Sequence, residues 1–310
     1  MKHKIITFGE LMLRLSPDNN ERFTQAHSYE AVYGGGEANT AVSLANFNVD
    51  TRYVTKLPNH TIGQSAVNSL RQYGVDVSRI VRGGDQIGIY FLEKKTSQRP
   101  TNVIYNRNGS AFALATKEDF DWNSIFEGAT WFHFSGITPA ISDNMAEITI
   151  EACKEAKKRN ITVSCDLNYR SKLWSSEKAN KVMSEVCKYV DICIANEDDA
   201  VGIFGMDASK SDKEKNAYIA EELTKMFPNF KMVASVWRTE TSITTFKLQS
   251  MIYTDGKAYY SQEFFMNILD YIGAGDAYCA GIIYSLINGF EPQKAVEFSN
   301  ALTLYQLMKL

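Results

Sequence analysis

Short apolar runs ending on glycine or polar clusters recur along the chain, and many of the stretches between them carry apolar residues at helical spacing. Ile5-Ile6-Thr7-Phe8 ends on Gly9-Glu10, 161–165 on Asp166-Leu167-Asn168-Tyr169-Arg170, 191–195 on Asn196-Glu197-Asp198-Asp199, and 264–272 on Gly273-Ala274-Gly275-Asp276. Strands alternating with helices are joined by crossovers and pair in parallel; an open parallel sheet binds its ligands beyond the carboxyl ends of its strands. The rhythm predicts an α/β chain whose chemistry gathers at one sheet edge. With 310 residues, 45% of them hydrophobic, the chain can bury one large domain of this kind.

The rhythm breaks twice: late, where 242–260 reads as antiparallel strands with Asp255-Gly256 as a hairpin turn, and earlier, at a longer break. Residues 87–92 and 102–105 read as strands with a polar connection and no helix between them, hence an antiparallel hairpin. Together with the mixed stretch 11–33 they are expected to form a small β-sheet inserted into the α/β domain, a lid spanning about 11–33 and 83–110. Period-two spacing can put Tyr105 and Arg107 on one lid face near Tyr90, where Arg107 would grip a carboxylate bidentately. An amphipathic edge strand with an exposed arginine has the same pattern.

Gly273-Ala274-Gly275-Asp276 joins a strand-like run to a helix expected over 277–288. Such a turn can aim backbone amides at a phosphate, and Asp276 beside it can serve as acid–base group for an incoming hydroxyl. A left-handed turn capped by an ordinary aspartate reads identically. Gly34-Gly35-Gly36-Glu37-Ala38-Asn39 precedes a helix expected over 40–47; its glycines allow close backbone approach, and Asn39 offers donor and acceptor to a hydroxyl-rich molecule. Arg170 suits phosphate or carboxylate. Asn196 to Asp199, with three acids in four residues, fits a hydrated magnesium or an acid-rich helix start.

Composition narrows the partners. Net charge is −3 and no basic run is long enough to grip nucleic acid. The five cysteines, without C-x-x-C spacing, read as reduced core thiols, and the four histidines form no metal pair. No run of about 18 apolar residues and no signal-peptide core is present, so a soluble cytoplasmic chain with small-molecule partners is expected. Neither G-x-x-x-x-G-K-[ST] nor an N-terminal G-x-G-x-x-G occurs.

On Gly34 to Asn39, Asp166-x-Asn168-x-Arg170 and Gly273 to Ala277, the chain resembles the ribokinase-like (PfkB) sugar kinases, and within them the branch acting on 2-keto-3-deoxygluconate. Asp166 to Arg170 with Leu173-Trp174, and Tyr90, Tyr105 and Arg107, carry the sugar-acid part of that likeness. The resemblance implies a single ribokinase-like domain over 1–310: a three-layer sandwich with a mostly parallel central sheet and a β lid. It implies ATP as phosphoryl donor, Mg²⁺, and Asp276 as base for the terminal hydroxyl, with the amides of Gly273, Ala274, Gly275 and Asp276 as anion hole. Gly34, Tyr90, Tyr105, Arg107 and Arg170 would hold the sugar acid; Asn168 and Asn196 would lie near the nucleotide phosphates.

Three features depart from the family pattern. Asn196-x-x-Asp199 replaces the usual Asn-x-x-Glu, so metal contact is expected through Glu197, Asp199 or water. Asp270-Tyr271-Ile272 lacks the usual polar residue after its aspartate, and 235–238 is bulky for a nucleotide groove. Relatives usually continue past Leu310 with a segment that helps close the adenine side. A fructokinase or other family sugar kinase, or a sugar-acid-binding protein without ATP turnover, are the competing readings. Pairing between copies through the exposed lid edge is expected as well.

Overall fold

The computed structural model describes residues 3–96, 99–207, 212–241, 245–267 and 272–308. The chain runs through β1 (Lys4–Phe8), β2 (Met12–Pro17), β3 (Tyr29–Gly34), α1 (Gly36–Asn46), β4 (Asp50–Val54), β5 (Lys56–Leu57), α2 (Thr61–Arg71) and β6 (Val81–Arg82). It continues with β7 (Ile89–Glu93), β8 (Asn102–Asn106), α3 (Trp122–Ile125), β9 (Trp131–Ser135), α4 (Ile137–Ala140), α5 (Asp143–Lys158), β10 (Thr162–Asp166) and α6 (Ser176–Val186). Then come β11 (Ile192–Ile194), α7 (Glu197–Phe204), α8 (Asp212–Met226), β12 (Met232–Glu240), β13 (Phe246–Thr254), β14 (Lys257–Tyr260), β15 (Phe264–Met266), α9 (Ala274–Ile287) and α10 (Pro292–Leu307).

The main sheet has the order β14-β13-β12-β11-β10-β9-β1-β4, with β15 also on β13. From β4 to β12 every pairing is parallel; β13 turns the sheet antiparallel. Alternation along the strands supplies both faces. Ile6, Phe8, Phe132, Phe134, Val163 and Cys165 pack with Met145, Ile148 and Ala152 of α5 and with Met183 of α6. Ile5, Trp131, Ile192 and Met232 face the other way, onto Leu44 of α1, Tyr278 and Ile282 of α9, and Val296 of α10. The result is the expected three-layer α/β sandwich, in which the chain adds β4 on one side of β1 and later crosses back to add β9 on the other. Such a reversal opens a crevice at the strands' carboxyl ends.

The second sheet has the order β3-β2-β7-β8. The β7–β8 hairpin is antiparallel as predicted, and β2 pairs with β7 in parallel. Asp255 and Gly256, at φ +51° and +73°, make the predicted tight turn between β13 and β14. All five cysteines are buried free thiols. His133 lies in the core against Ser164 Oγ at 2.8 Å, its pKa pushed down to about 4 by burial. Among the described residues no helix is long and apolar enough to cross a membrane.

Several boundaries differ from the sequence expectation. Helix α1 starts at Gly36, inside the glycine run and not after it, and α9 starts at Ala274, not 277. A helix's first amides are unpaired in any case, so glycine there forfeits little. Strand β12 runs on to Glu240 because β13 pairs with its whole length. Among the described residues of the run before the Gly273 turn, Phe264–Met266 is strand; 268–271, with Asp270 and Tyr271, lie outside the described residues.

Candidate active site

A cleft of about 570 Å³ opens between the carboxyl ends of the main sheet and the small sheet. Gly34, Asn39, Tyr90, Tyr105, Asn168, Arg170, Asn196, Asp199 and the run Gly273 to Asp276 all line it. Of the expected ligand contacts, Arg107, Glu197 and Glu10 do not.

One wall is the start of α9. Gly273 caps the helix at φ +79°, a left-handed backbone that favours glycine, and among the described residues no side chain is seen to cap the amides that follow. A Cβ on Gly275 would meet nothing within 4 Å, so the opening over that turn is free. Asp276, third in the helix, stands beside these amides. Burial pushes its carboxyl up to about 6; the hydrogen bond from Asn39 and the nearby Arg170 charge pull the other way, and Glu37 adds repulsion.

The wall opposite is the start of α1. Asn39 Nδ2 donates to Asp276 Oδ2 at 2.7 Å, and the single proton of Thr40 Oγ1 is shared between its own helix's Gly36 carbonyl at 3.1 Å and the Asp276 carbonyl at 3.3 Å. The glycines before them answer to contact rather than to unusual dihedrals: none of the three has a left-handed φ. A Cβ on Gly35 would fall 2.1 Å from the Glu10 carbonyl oxygen, and one on Gly36 would fall 3.3 Å from Asp276 Oδ1. Glu37 is buried and accepts from Ser135 N, Ser135 Oγ and Thr138 Oγ1, which ties α1 to the end of β9; burial raises its pKa. Sequence reading gave Glu37 no role, since only the tertiary fold brings Ser135 and Thr138 to it.

The roof is the small sheet. Tyr90 and Tyr105 are cross-strand partners with ring centroids 5.9 Å apart, and Tyr105 remains 46% exposed toward the cleft mouth. Arg107 is drawn away from this face. Its Nε donates to Glu10 Oε2 at 2.8 Å and its second nitrogen reaches the same oxygen, while Ser110 Oγ donates to Glu10 Oε1 at 2.5 Å. Both charges are buried. Glu10, expected at a strand end to meet a ligand, instead holds the chain after β8.

The floor comes from the ends of β10 and β11. Asp166 opens onto the cleft, with its pKa pushed up to about 8 by burial and by the Asp199 and Asp276 carboxylates. Asn168 Nδ2 donates to it at 3.1 Å from a residue at φ +39°, and Arg170 reaches the cleft exposed. Asn196 caps α7 and Asp199 closes the capping box: Asp199 accepts from Asn196 N at 2.9 Å and from Tyr169 N at 2.7 Å, which welds the two strand ends together. Burial raises it to about 6 all the same. Glu197 turns out to Lys215 at 2.9 Å. Beyond the Gly273 turn the cleft continues along Val236, Arg238 and Leu248 to Thr303 of α10. The sequence reading noted the bulk of 235–238; that Thr303 arrives there follows only from the packing of α10 on α9.

A buried carboxylate beside free helix amides and an arginine, under a tyrosine roof, can accept a hydroxyl proton while the amides meet anionic oxygens. The family model for pfkB family carbohydrate kinases matches residues 2–303. A 2-dehydro-3-deoxygalactonokinase of Haloferax volcanii is 33% identical, over 97% of this chain and 90% of that one. The crystal structure of a 2-dehydro-3-deoxygluconokinase from Thermotoga maritima superposes with a TM-score of 0.96 at 44% identity, covering 100% of this chain and 94% of that one. A PfkB family carbohydrate kinase from Listeria grayi follows at 0.92 and 32%, covering 99% and 94%.

Proposed function

The chain belongs to the pfkB family of carbohydrate kinases, and from that premise we propose that it transfers the γ-phosphoryl group of ATP to the terminal hydroxyl of a 2-keto-3-deoxy sugar acid, 2-keto-3-deoxygluconate first. The observation that carries the reading is the pairing of Asp276 with the uncapped amides of α9 inside a cleft roofed by Tyr90 and Tyr105. Ionised Asp276 takes the hydroxyl proton as the new O–P bond forms. The γ-phosphorus–oxygen bond to ADP breaks, and the developing charge meets the amides of Ala274, Gly275 and Asp276 and the positive end of the helix.

Arg170 supports the acid part, because it brings a guanidinium to the same cleft as the tyrosines. The names of the relatives support a keto-deoxy acid over a neutral sugar, and 2-dehydro-3-deoxygalactonate is the nearest second candidate. The part of the cleft along Val236, Leu248 and Thr303 suits the nucleotide.

The acids at the end of β11 fit a hydrated divalent cation accompanying ATP. Asp198 and Asp199 line the cleft beside Asn196, and burial leaves Asp199 short of stabilising charge. Such an ion would be held through water by Asp198, Asp199 and Asn196, and would supply charge neutralisation on the phosphates.

The test is ADP release from Mg-ATP with 2-keto-3-deoxygluconate, 2-keto-3-deoxygalactonate, fructose, ribose and no acceptor. Release with a keto-deoxy acid alone supports the reading. Fructose as the preferred acceptor replaces the substrate, and acid binding without release replaces the activity.

A further inference from the structure

Building on that kinase reading, we propose that Glu10 is the positioning residue of the roof: a buried side chain on which the crossings between the small sheet and the main domain converge, so that it sets where Tyr90 and Tyr105 stand over the cleft.

Among the described residues the chain passes between the small sheet and the rest of the fold four times: at 9–11 between β1 and β2, at Gly35 between β3 and α1, at 83–88 between β6 and β7, and from 107 onward after β8. Glu10 stands in the first crossing and packs against the other three. A Cβ on Gly35 would fall 2.1 Å from its carbonyl oxygen, and one on Gly88 would fall 2.5 Å from its Oε1. Neither glycine has a left-handed φ, so both answer to the closeness of Glu10. The fourth crossing supplies the donors, Arg107 through two nitrogens to Oε2 and Ser110 Oγ to Oε1, so each carboxylate oxygen has its own holder. Ser110 is fixed in turn: its Oγ accepts from Ala113 N at 3.1 Å, and Ala111 N donates to Gln86 O at 2.8 Å, which stitches the fourth crossing to the third.

Strand periodicity carries these contacts to the roof. Residues two apart on a strand share a face. Gly88 stands two before Tyr90, Arg107 two after Tyr105, Glu10 two before Met12, and Gly35 directly follows Gly34. Those four neighbours, Tyr90, Tyr105, Met12 and Gly34, all line the cleft, and they pair across the strands as Met12 with Gly34 and Tyr90 with Tyr105. One side chain therefore governs the same end of β2, β3, β7 and β8, the whole of the small sheet.

Burial makes the node stiff. Ser110 is as fully enclosed as the ion pair it joins. Charge-assisted hydrogen bonds out of water tolerate little displacement, because a carboxylate that leaves its donors is stranded. A roof fastened there holds its tyrosines at one height above Asp276, which is the geometry an acceptor hydroxyl needs to meet the base.

The experiment is hydrogen exchange by mass spectrometry on the whole chain without ligand, for wild type, Glu10→Gln, Ser110→Ala and Gly88→Ala, paired with KM for the sugar acid and for Mg-ATP. In Glu10→Gln the amides of β2, β7 and β8 should exchange about tenfold faster, while those of β9 and β10 change less than about threefold. Sugar-acid KM should rise about tenfold and kcat should fall, with nucleotide KM kept within about threefold. Ser110→Ala frees only Oε1, and Gly88→Ala pushes the carboxylate off the third crossing. Both should move the same quantities in the same direction by less, and they decide the matter if Glu10→Gln does not fold. Exchange that rises equally in the two sheets makes Glu10 a general stabiliser and overturns the proposal, as do an unchanged small sheet or sugar and nucleotide KM rising together. Exchange needs no substrate, so an inactive wild type would sink the kinase reading and still leave the role of Glu10 decided.

Discussion

Arg107 and Glu10 form a buried ion pair, with Arg107 5% and Glu10 4% exposed, and Ser110 completes the carboxylate's partners. The arginine that follows the roof strand is thus fastened to the end of β1 across 97 residues of sequence. Removing one member of such a pair strands the other charge in a low-dielectric site, at about 3–5 kcal/mol.

Arg107→Ala should therefore lower unfolding free energy by about 3–5 kcal/mol in urea titrations, and Arg107→Ala with Glu10→Gln should recover part of the loss. A single mutant of unchanged stability whose sugar KM alone rises would return Arg107 to the list of substrate ligands.

Asp276→Asn keeps the shape and the Asn39 neighbour but cannot take a proton. Turnover should fall by about 10² or more while the sugar acid still binds, read by steady-state kinetics and calorimetry. Unimpaired turnover would remove Asp276 from the base role.

As the proposed base, Asp276 must be ionised to act, and burial pushes its carboxyl up to about 6. Activity should accordingly rise with pH through about 6 and level above it. A kcat/KM profile whose acid limb sits near 4, the ordinary aspartate range, would mean that bulk water reaches the carboxylate.

Asp166 is raised from 3.8 to about 8. Between those values the folded chain holds a proton that the unfolded chain has released, so stability from this group is complete below about 4 and is lost as pH rises through about 8. Asp166→Asn stays neutral throughout. Thermal melts should show the variant gaining on wild type by about 2 °C or more at pH 8.5 relative to pH 5. Parallel pH dependences of the two melts would argue against a buried, proton-holding Asp166.

Asp199→Ala leaves the amides of Asn196 and Tyr169 without their acceptor, at a cost of about 1–3 kcal/mol, and frees the Asn168–Arg170 turn. Nucleotide KM should rise more than sugar-acid KM. Equal effects on both would separate the cap from the nucleotide half of the cleft.

Much of the fold was legible because strand–helix alternation is a local signal. The apolar runs, the spacing along α5 and the Asp255-Gly256 turn each state their structure within a few residues. Gly273 and Asp276 were legible too, since a helix start announces itself by glycine and a capping-range acid. What local pattern could not separate was the reason for a glycine. Gly273 serves a left-handed backbone, whereas Gly35 and Gly36 make room for Glu10 and Asp276, which are distant in the chain or in a different element.

The sequence by itself determined the layers, the strand ends at which ligands could bind, and the presence of a carboxylate beside uncapped amides, because periodicity and turn chemistry act over a few residues. Tertiary structure alone decided how the charges are spent. It gave Arg107 to Glu10, Asp199 to two backbone amides and Asn39 to Asp276, pairings that span 97, 30 and 237 residues in their longest reach. A side chain's role is set by which partner satisfies it once water is excluded, and that partner is chosen by the packing of distant elements.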